Sequence, residues 1–136
     1  MTNTAIGTAP APKWMKRAGY ALTGLVVAFL LMDSAIKLMM LDVVTSTTEQ
    51  LGWAGEKAFP LGVLLLILTI LYVIPQTSAL GAILITGYLG GAVATHVRID
   101  SPLFSHVLFG VYLGVVMWGG LWLREPRLRA LFPLKR

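Results

Sequence analysis

The chain has 136 residues, of which 57% are hydrophobic and 12% charged, and its mean hydropathy is +0.78, far more apolar than a soluble domain of this size. It has no cysteine, which excludes disulfides, thiolate nucleophiles and cysteine-ligated iron–sulfur clusters. The formal charge of +5 does not point to nucleic acid, because the basic residues flank apolar runs instead of forming a patch.

Residues 1–16, rich in Thr, Ala and Pro up to Pro12, read as a disordered tail. The first apolar run, Ala18 to Leu41, is much longer than a signal-peptide core of roughly 7 to 15 residues and is expected to be a retained span. The second run, Ala58 to Ile74, stops at Pro75-Gln76-Thr77-Ser78, where proline fits a helix end. The third runs from Ala79 to Val97 and the fourth from Leu103 to Leu123. Each approaches the length of about 17 to 25 residues that crosses a hydrocarbon core. The expected fold is therefore an all-α membrane protein, a four-transmembrane-helix bundle over residues 17–125. Pro126 opens a basic interfacial segment, 126–136, in which Leu128, Leu131 and Phe132 dip into the bilayer surface while Arg127 and Arg129 face head groups.

Basic residues set the expected orientation. Lys13, Lys16 and Arg17 precede the first span and Arg124, Arg127, Arg129, Lys135 and Arg136 follow the last, against only Lys57 and Arg98 in the opposite loops. The positive-inside rule then puts both termini in the cytoplasm. Trp118, Trp122, Tyr20 and Tyr72 fall near the inner ends, and Trp53 precedes the second span, as interfacial aromatic belts require.

Asp33 and Lys37 lie one turn apart inside the first span, where a charge is costly unless paired or hydrated and so marks a functional-site hypothesis. At 1.5 Å per residue, Asp33 lies about 24 Å above Arg17, His96 about 24 Å above Leu80 and His106 about 27 Å above Arg124. All three reach one outer level, joined by Glu56, Arg98 and Asp100. The joint placement predicts a polar-topped cavity open to the outer side. Lys37 either pairs with Asp33 or snorkels to the interface, and His96 faces either the cavity or the loop. Gly87, Gly91 and Thr95 form one small-residue stripe and Gly110 with Gly114 another, so these faces are expected to be buried in close helix contacts. His106, one turn from Gly110, shares that inward face.

The candidate ligand-binding residues are Asp33, Lys37, Tyr88, Thr95, His96 and His106. Asp33 and His106 are the candidate acid and base, since a desolvated carboxylate or an imidazole can shuttle a proton near neutral pH. No His-x-x-x-His or Glu-x-x-His spacing brings metal ligands together on one helix, so no metal is expected. No nucleophile elbow occurs, and the glycines at 87–91 lie too deep in a span to cradle phosphate.

The stretch Gly87-Tyr-Leu-Gly-Gly-Ala-Val-Ala-Thr-His-Val-Arg98, then Pro102-Leu-Phe-Ser-His106, Trp118-Gly-Gly-Leu-Trp-Leu-Arg124 and Pro126-Arg-Leu-Arg129, resembles the DoxX-like family of small bacterial membrane proteins. The Asp33 and Lys37 pair and the Pro75 turn fit the same pattern, and the likeness covers residues 17–134. The resemblance implies a four-helix bundle in a bacterial inner membrane. The broader family takes its name from a subunit of a thiosulfate:quinone oxidoreductase, and some members are associated with redox-stress complexes, which implies a quinone as candidate ligand and a redox enzyme as candidate partner. Fold kinship alone does not fix chemistry. Similarity of architecture to sterol-isomerase-like bundles implies an alternative, acid–base isomerisation of a lipophilic substrate. A scaffold or chaperone without a small-molecule site is the third reading, and the bilayer and a second copy of the chain are the remaining partners considered.

Overall fold

A computed structural model describes residues 11–132. The first ten residues of the expected tail and residues 133–136 of the expected C-terminal segment lie outside the described residues. The elements are α1 (Lys13–Leu38), α2 (Asp42–Gln50), a tight turn at Gly55–Lys57, α3 (Ala58–Val73), α4 (Ser78–Arg98), a π-helical turn at Leu103–Val107, α5 (Phe109–Arg124) and α6 (Pro126–Leu131). Four of the helical segments are long and apolar enough to cross a membrane, and no strand occurs among the described residues. The protein is an all-α membrane protein built on four spans.

Local chemistry sets the ends. α1 reaches back to Lys13 and stops at Leu38, three residues short of the expected end, because the chain reverses at Met40, whose φ of 53° lies in the left-handed region. α3 ends at Ile74, held extended at ψ 122° as a residue before proline must be. The Thr77 hydroxyl donates to the Leu71 carbonyl at 2.7 Å and the Ser78 hydroxyl to the Tyr72 carbonyl at 2.8 Å, satisfying acceptors that a helix end leaves orphaned. α6 starts with Pro126 at its first position and the Glu125 carboxylate accepting from the Arg127 backbone N–H at 3.2 Å.

The four spans form a square in which α1 and α4 each pack against both α3 and α5, and the diagonal pairs do not meet. Its middle must therefore be filled by side chains or stay hollow. At the end bearing the start of α1, the α3–α4 turn and the end of α5, it is filled. Val26, Leu68, Tyr72, Ile85, Met117 and Leu121 form a buried core there, and the Tyr72 hydroxyl donates to the Met117 carbonyl at 2.9 Å. α1 and α5 touch through backbone, since a Cβ added at Gly19 would lie 2.8 Å from the Gly120 carbonyl oxygen. Close approach of this kind supplies the dispersion contacts that hold membrane helices together where the hydrophobic effect does not act between them.

The opposite half is looser. α3 leans on α1 through Gly62, where an added Cβ would lie 3.2 Å from the Ser34 carbonyl oxygen, and α5 leans on α4 through Gly110, where one would lie 3.2 Å from the Leu89 carbonyl oxygen. By contrast, a Cβ added at Gly87 or Gly91 meets no atom within 4 Å, and one at Gly114 meets only Leu89 Cδ1 at 3.8 Å. The Gly87, Gly91 and Thr95 stripe is thus a correction to the expectation of a close helix contact. α3 and α4 touch near their connecting turn, where a Cβ added at Gly81 would lie 2.8 Å from the Leu71 carbonyl carbon, and make no close approach at these glycines further up. The two ends also differ in charge. Lys13, Lys16, Arg17, Arg124, Arg127 and Arg129 stand against Glu125 at the filled end, and Lys37, Lys57 and Arg98 against Asp33, Asp42, Glu49, Glu56 and Asp100 at the other.

Candidate functional site

The hollow half of the square holds a partly open cavity of about 580 Å³. Leu30, Leu65 and Leu89 belong both to its lining and to the packed core, so its floor is continuous with the filled half. Phe29, Leu61 and Leu113 extend the apolar wall. All six residues singled out from the sequence, Asp33, Lys37, Tyr88, Thr95, His96 and His106, line this one space. Gly87 and Gly91 line it too, and the missing side chains create part of its volume.

The Lys37 ammonium donates to Asp33 Oδ2, an ion pair across one helical turn with side chains 18% and 25% exposed. Lys37 therefore folds back along α1 instead of snorkelling outward. An i, i+4 spacing places the two groups on one face, and mutual neutralisation is what makes both tolerable at this depth. The lysine keeps two N–H groups for another acceptor.

The two histidines meet although a loop separates them in sequence. Their ring centroids are 5.8 Å apart at an interplanar angle of 64°. His96 Nδ1 is 2.9 Å from the Ser101 hydroxyl, and His106 Nδ1 is 2.7 Å from the Ser105 hydroxyl. Each serine thus fixes one ring nitrogen and leaves Nε2 for a ligand; where the hydroxyl donates, Nε2 carries the proton. His96 both lines the cavity and bonds the loop. His106 sits in the π-helical turn, where the Val107 and Leu108 amides bond five residues back, to Pro102 and Leu103. Such a turn departs from the continuous helix expected for the fourth span, and π-turns recur at functional sites. The Thr95 hydroxyl donates to the Gly91 carbonyl at 2.8 Å, leaving its lone pairs as acceptors.

A roof that the sequence reading missed is α2. Its buried Val44 and Thr48, followed by Leu51 and Trp53, line the cavity at the polar level. The Thr48 hydroxyl turns back to the Val44 carbonyl at 2.7 Å, which satisfies it within the helix. The far end of α2 is fastened by Arg98, whose guanidinium donates to the Leu51 carbonyl at 2.6 Å, favourable at the negative end of a helix. The signal in the sequence is slight: positions 44, 48 and 51 at helical spacing in a stretch free of glycine and proline.

Among the described residues no group of three or more His, Asp or Glu side chains is placed to hold a metal ion. The arrangement offers hydrogen-bond donors and acceptors on one level above an apolar chamber. A family model described as the DoxX-like family matches residues 21–120, which contain every residue lining the cavity. No curated protein and no solved structure matches the chain.

Proposed function

The chain belongs to the DoxX-like family, and from that premise and the cavity geometry we propose that it binds a lipophilic small molecule with a polar head, a quinone being the ligand we favour and a membrane redox enzyme the partner it serves. The observation that carries this reading is the apolar cavity of about 580 Å³ bordered by paired charges and two imidazoles, within the roughly 300–1,000 Å³ range of small-molecule sites. In this reading the ring lies against Phe29, Leu65 and Leu113. Its carbonyl oxygens accept from Lys37, Tyr88 or a histidine Nε2–H. Asp33, already paired, orients the lysine. Thr95 accepts from a hydroxyl in the reduced form of the ligand.

The paired imidazoles favour a second reading, in which His106 and Asp33 carry out proton-transfer isomerisation of a lipophilic substrate. Deuterium incorporation into a lipophilic enone incubated with the protein in heavy water would support it. We further propose that the basic end is cytoplasmic, which puts both termini inside and the cavity toward the outer leaflet of a bacterial inner membrane.

The test of the first reading is titration of the detergent-solubilised protein with a short-tailed quinone and with the corresponding ring lacking carbonyls, followed by thermal shift. The quinone should raise the melting temperature of the native chain and do so less in Asp33→Asn and His106→Ala. Equal shifts by both compounds would leave only nonspecific partitioning.

A further inference from the structure

At the basic end, on the far side of the packed core from the cavity, a second concavity of about 540 Å³ is lined by Trp118, Gly119, Trp122, Leu123, Leu128 and Phe132. It is built, not an accident of a loose tail. The Arg129 guanidinium donates through one nitrogen to the Trp122 and Leu123 carbonyls at 2.9 and 2.6 Å, and the Trp122 indole N–H donates to the Phe132 carbonyl at 3.1 Å. These bonds clamp α6 against the end of α5 and leave a notch between them. The Trp118 indole N–H is taken by the Thr86 hydroxyl at 2.8 Å. Both indoles therefore have their only donor satisfied inside the protein and contribute apolar ring surface to the notch.

The rim carries the opposite character. Arg129 lies 6.0 Å from the Trp122 ring centroid, Arg127 is exposed beside Leu128, and Lys13, Lys16, Arg17 and Arg124 add to a basic end whose one acidic group among the described residues is Glu125. Trp118 lies six residues, about 9 Å, deeper along α5 than Arg124, so the notch runs from head-group level into the hydrocarbon.

We propose that this notch is a second binding site, for one anionic phospholipid: an acyl chain lies against Trp118, Trp122, Leu128 and Phe132, and the phosphate meets Arg127 and the free guanidinium N–H groups of Arg129. The apolar depth selects a lipid chain and the basic rim selects a negative head group over a zwitterionic one. Each basic residue near such a surface is worth roughly fivefold in association. The site is independent of the cavity ligand.

Tryptophan fluorescence tests it. In a Trp14→Phe, Trp53→Phe background only Trp118 and Trp122 report, and the protein is reconstituted in vesicles containing either brominated phosphatidylglycerol or brominated phosphatidylcholine. The site predicts at least a fivefold preference for quenching by the anionic lipid. Arg127→Gln should cut the preference severalfold and Arg127→Lys should keep it. Gly119→Leu, whose added Cβ meets only Leu22 Cδ1 at 4.0 Å, should fill the notch and abolish the excess quenching with the melting temperature retained. Equal quenching by the two lipids would overturn the proposal. So would a preference that survives both Arg127→Gln and Gly119→Leu, which would mark a diffuse attraction to the basic end.

Discussion

Removing one charge from the Asp33 and Lys37 pair should destabilise the bundle more than removing both. The side chains are 25% and 18% exposed, so neither has enough water to be solvated alone. At an effective dielectric of about 20, charges about 4 Å apart attract by roughly 4 kcal/mol, most of it offset by desolvation. Losing one partner leaves the other uncompensated, for which about 3–5 kcal/mol is typical of buried pairs. Partial exposure lowers the expectation to about 2–3 kcal/mol for Asp33→Asn or Lys37→Met alone. The second substitution keeps the aliphatic stem, whose Cβ would sit 2.8 Å from a Cβ at Gly62, and so isolates the charge from the packing. The double variant should lose no more than about 1 kcal/mol, an interaction energy well above the roughly 0.5 kcal/mol that marks independent sites. Reversible unfolding in mixed micelles, read by circular dichroism for all four chains, measures it. Additivity would refute the reasoning and mean that the two charges are solvated separately.

Gly110→Leu should cost several degrees of melting temperature because Leu89 backbone lies 3.2 Å from the added Cβ, whereas Gly91→Leu meets no atom within 4 Å and should leave stability intact while weakening quinone binding by filling the cavity. Arg98→Gln removes the guanidinium that holds the Leu51 carbonyl, and hydrogen exchange should rise in residues 42–51 with little change in the spans; unchanged exchange would mean that α2 is held by its apolar face alone. A reporter fused after Arg136 should be active in its cytoplasmic form and one inserted near Glu49 in its exported form, and reversed activities would place the cavity toward the inner leaflet.

The spans were readable because runs of apolar residues near membrane thickness admit few alternatives, and α3 and α4 fall within a residue of their expected bounds. That Asp33, His96 and His106 line one cavity follows the expectation from depth, because rise per residue converts chain position into height along a span. What depth cannot say is which faces touch. Gly87 and Gly91 have the spacing of a close-packing stripe yet line a void, whereas the close approach of Gly19 to Gly120 joins residues of the first and last spans. α2 was missed because Val43, Val44, Thr45, Thr47 and Thr48 are β-branched and weak helix formers; packing of Val44 and Thr48 overrides that preference. The π-turn at His106 depends on how the chain re-enters after Pro102, which no local pattern announces.

In the proposed complex the polar head of the lipophilic ligand sits under α2 among Asp33, Tyr88, Thr95, His96 and His106. Photo-crosslinking with a quinone carrying a photoreactive group on its ring, followed by peptide mapping, tests it most directly. Labelling should concentrate on residues 43–51, in α2 and its C-cap, and on α4 residues 87–96, and an excess of unlabelled quinone should compete it away. Labels spread without competition over outward-facing positions such as Leu25, Ile67 and Ile83 would contradict the account and leave the polar layer as part of the scaffold.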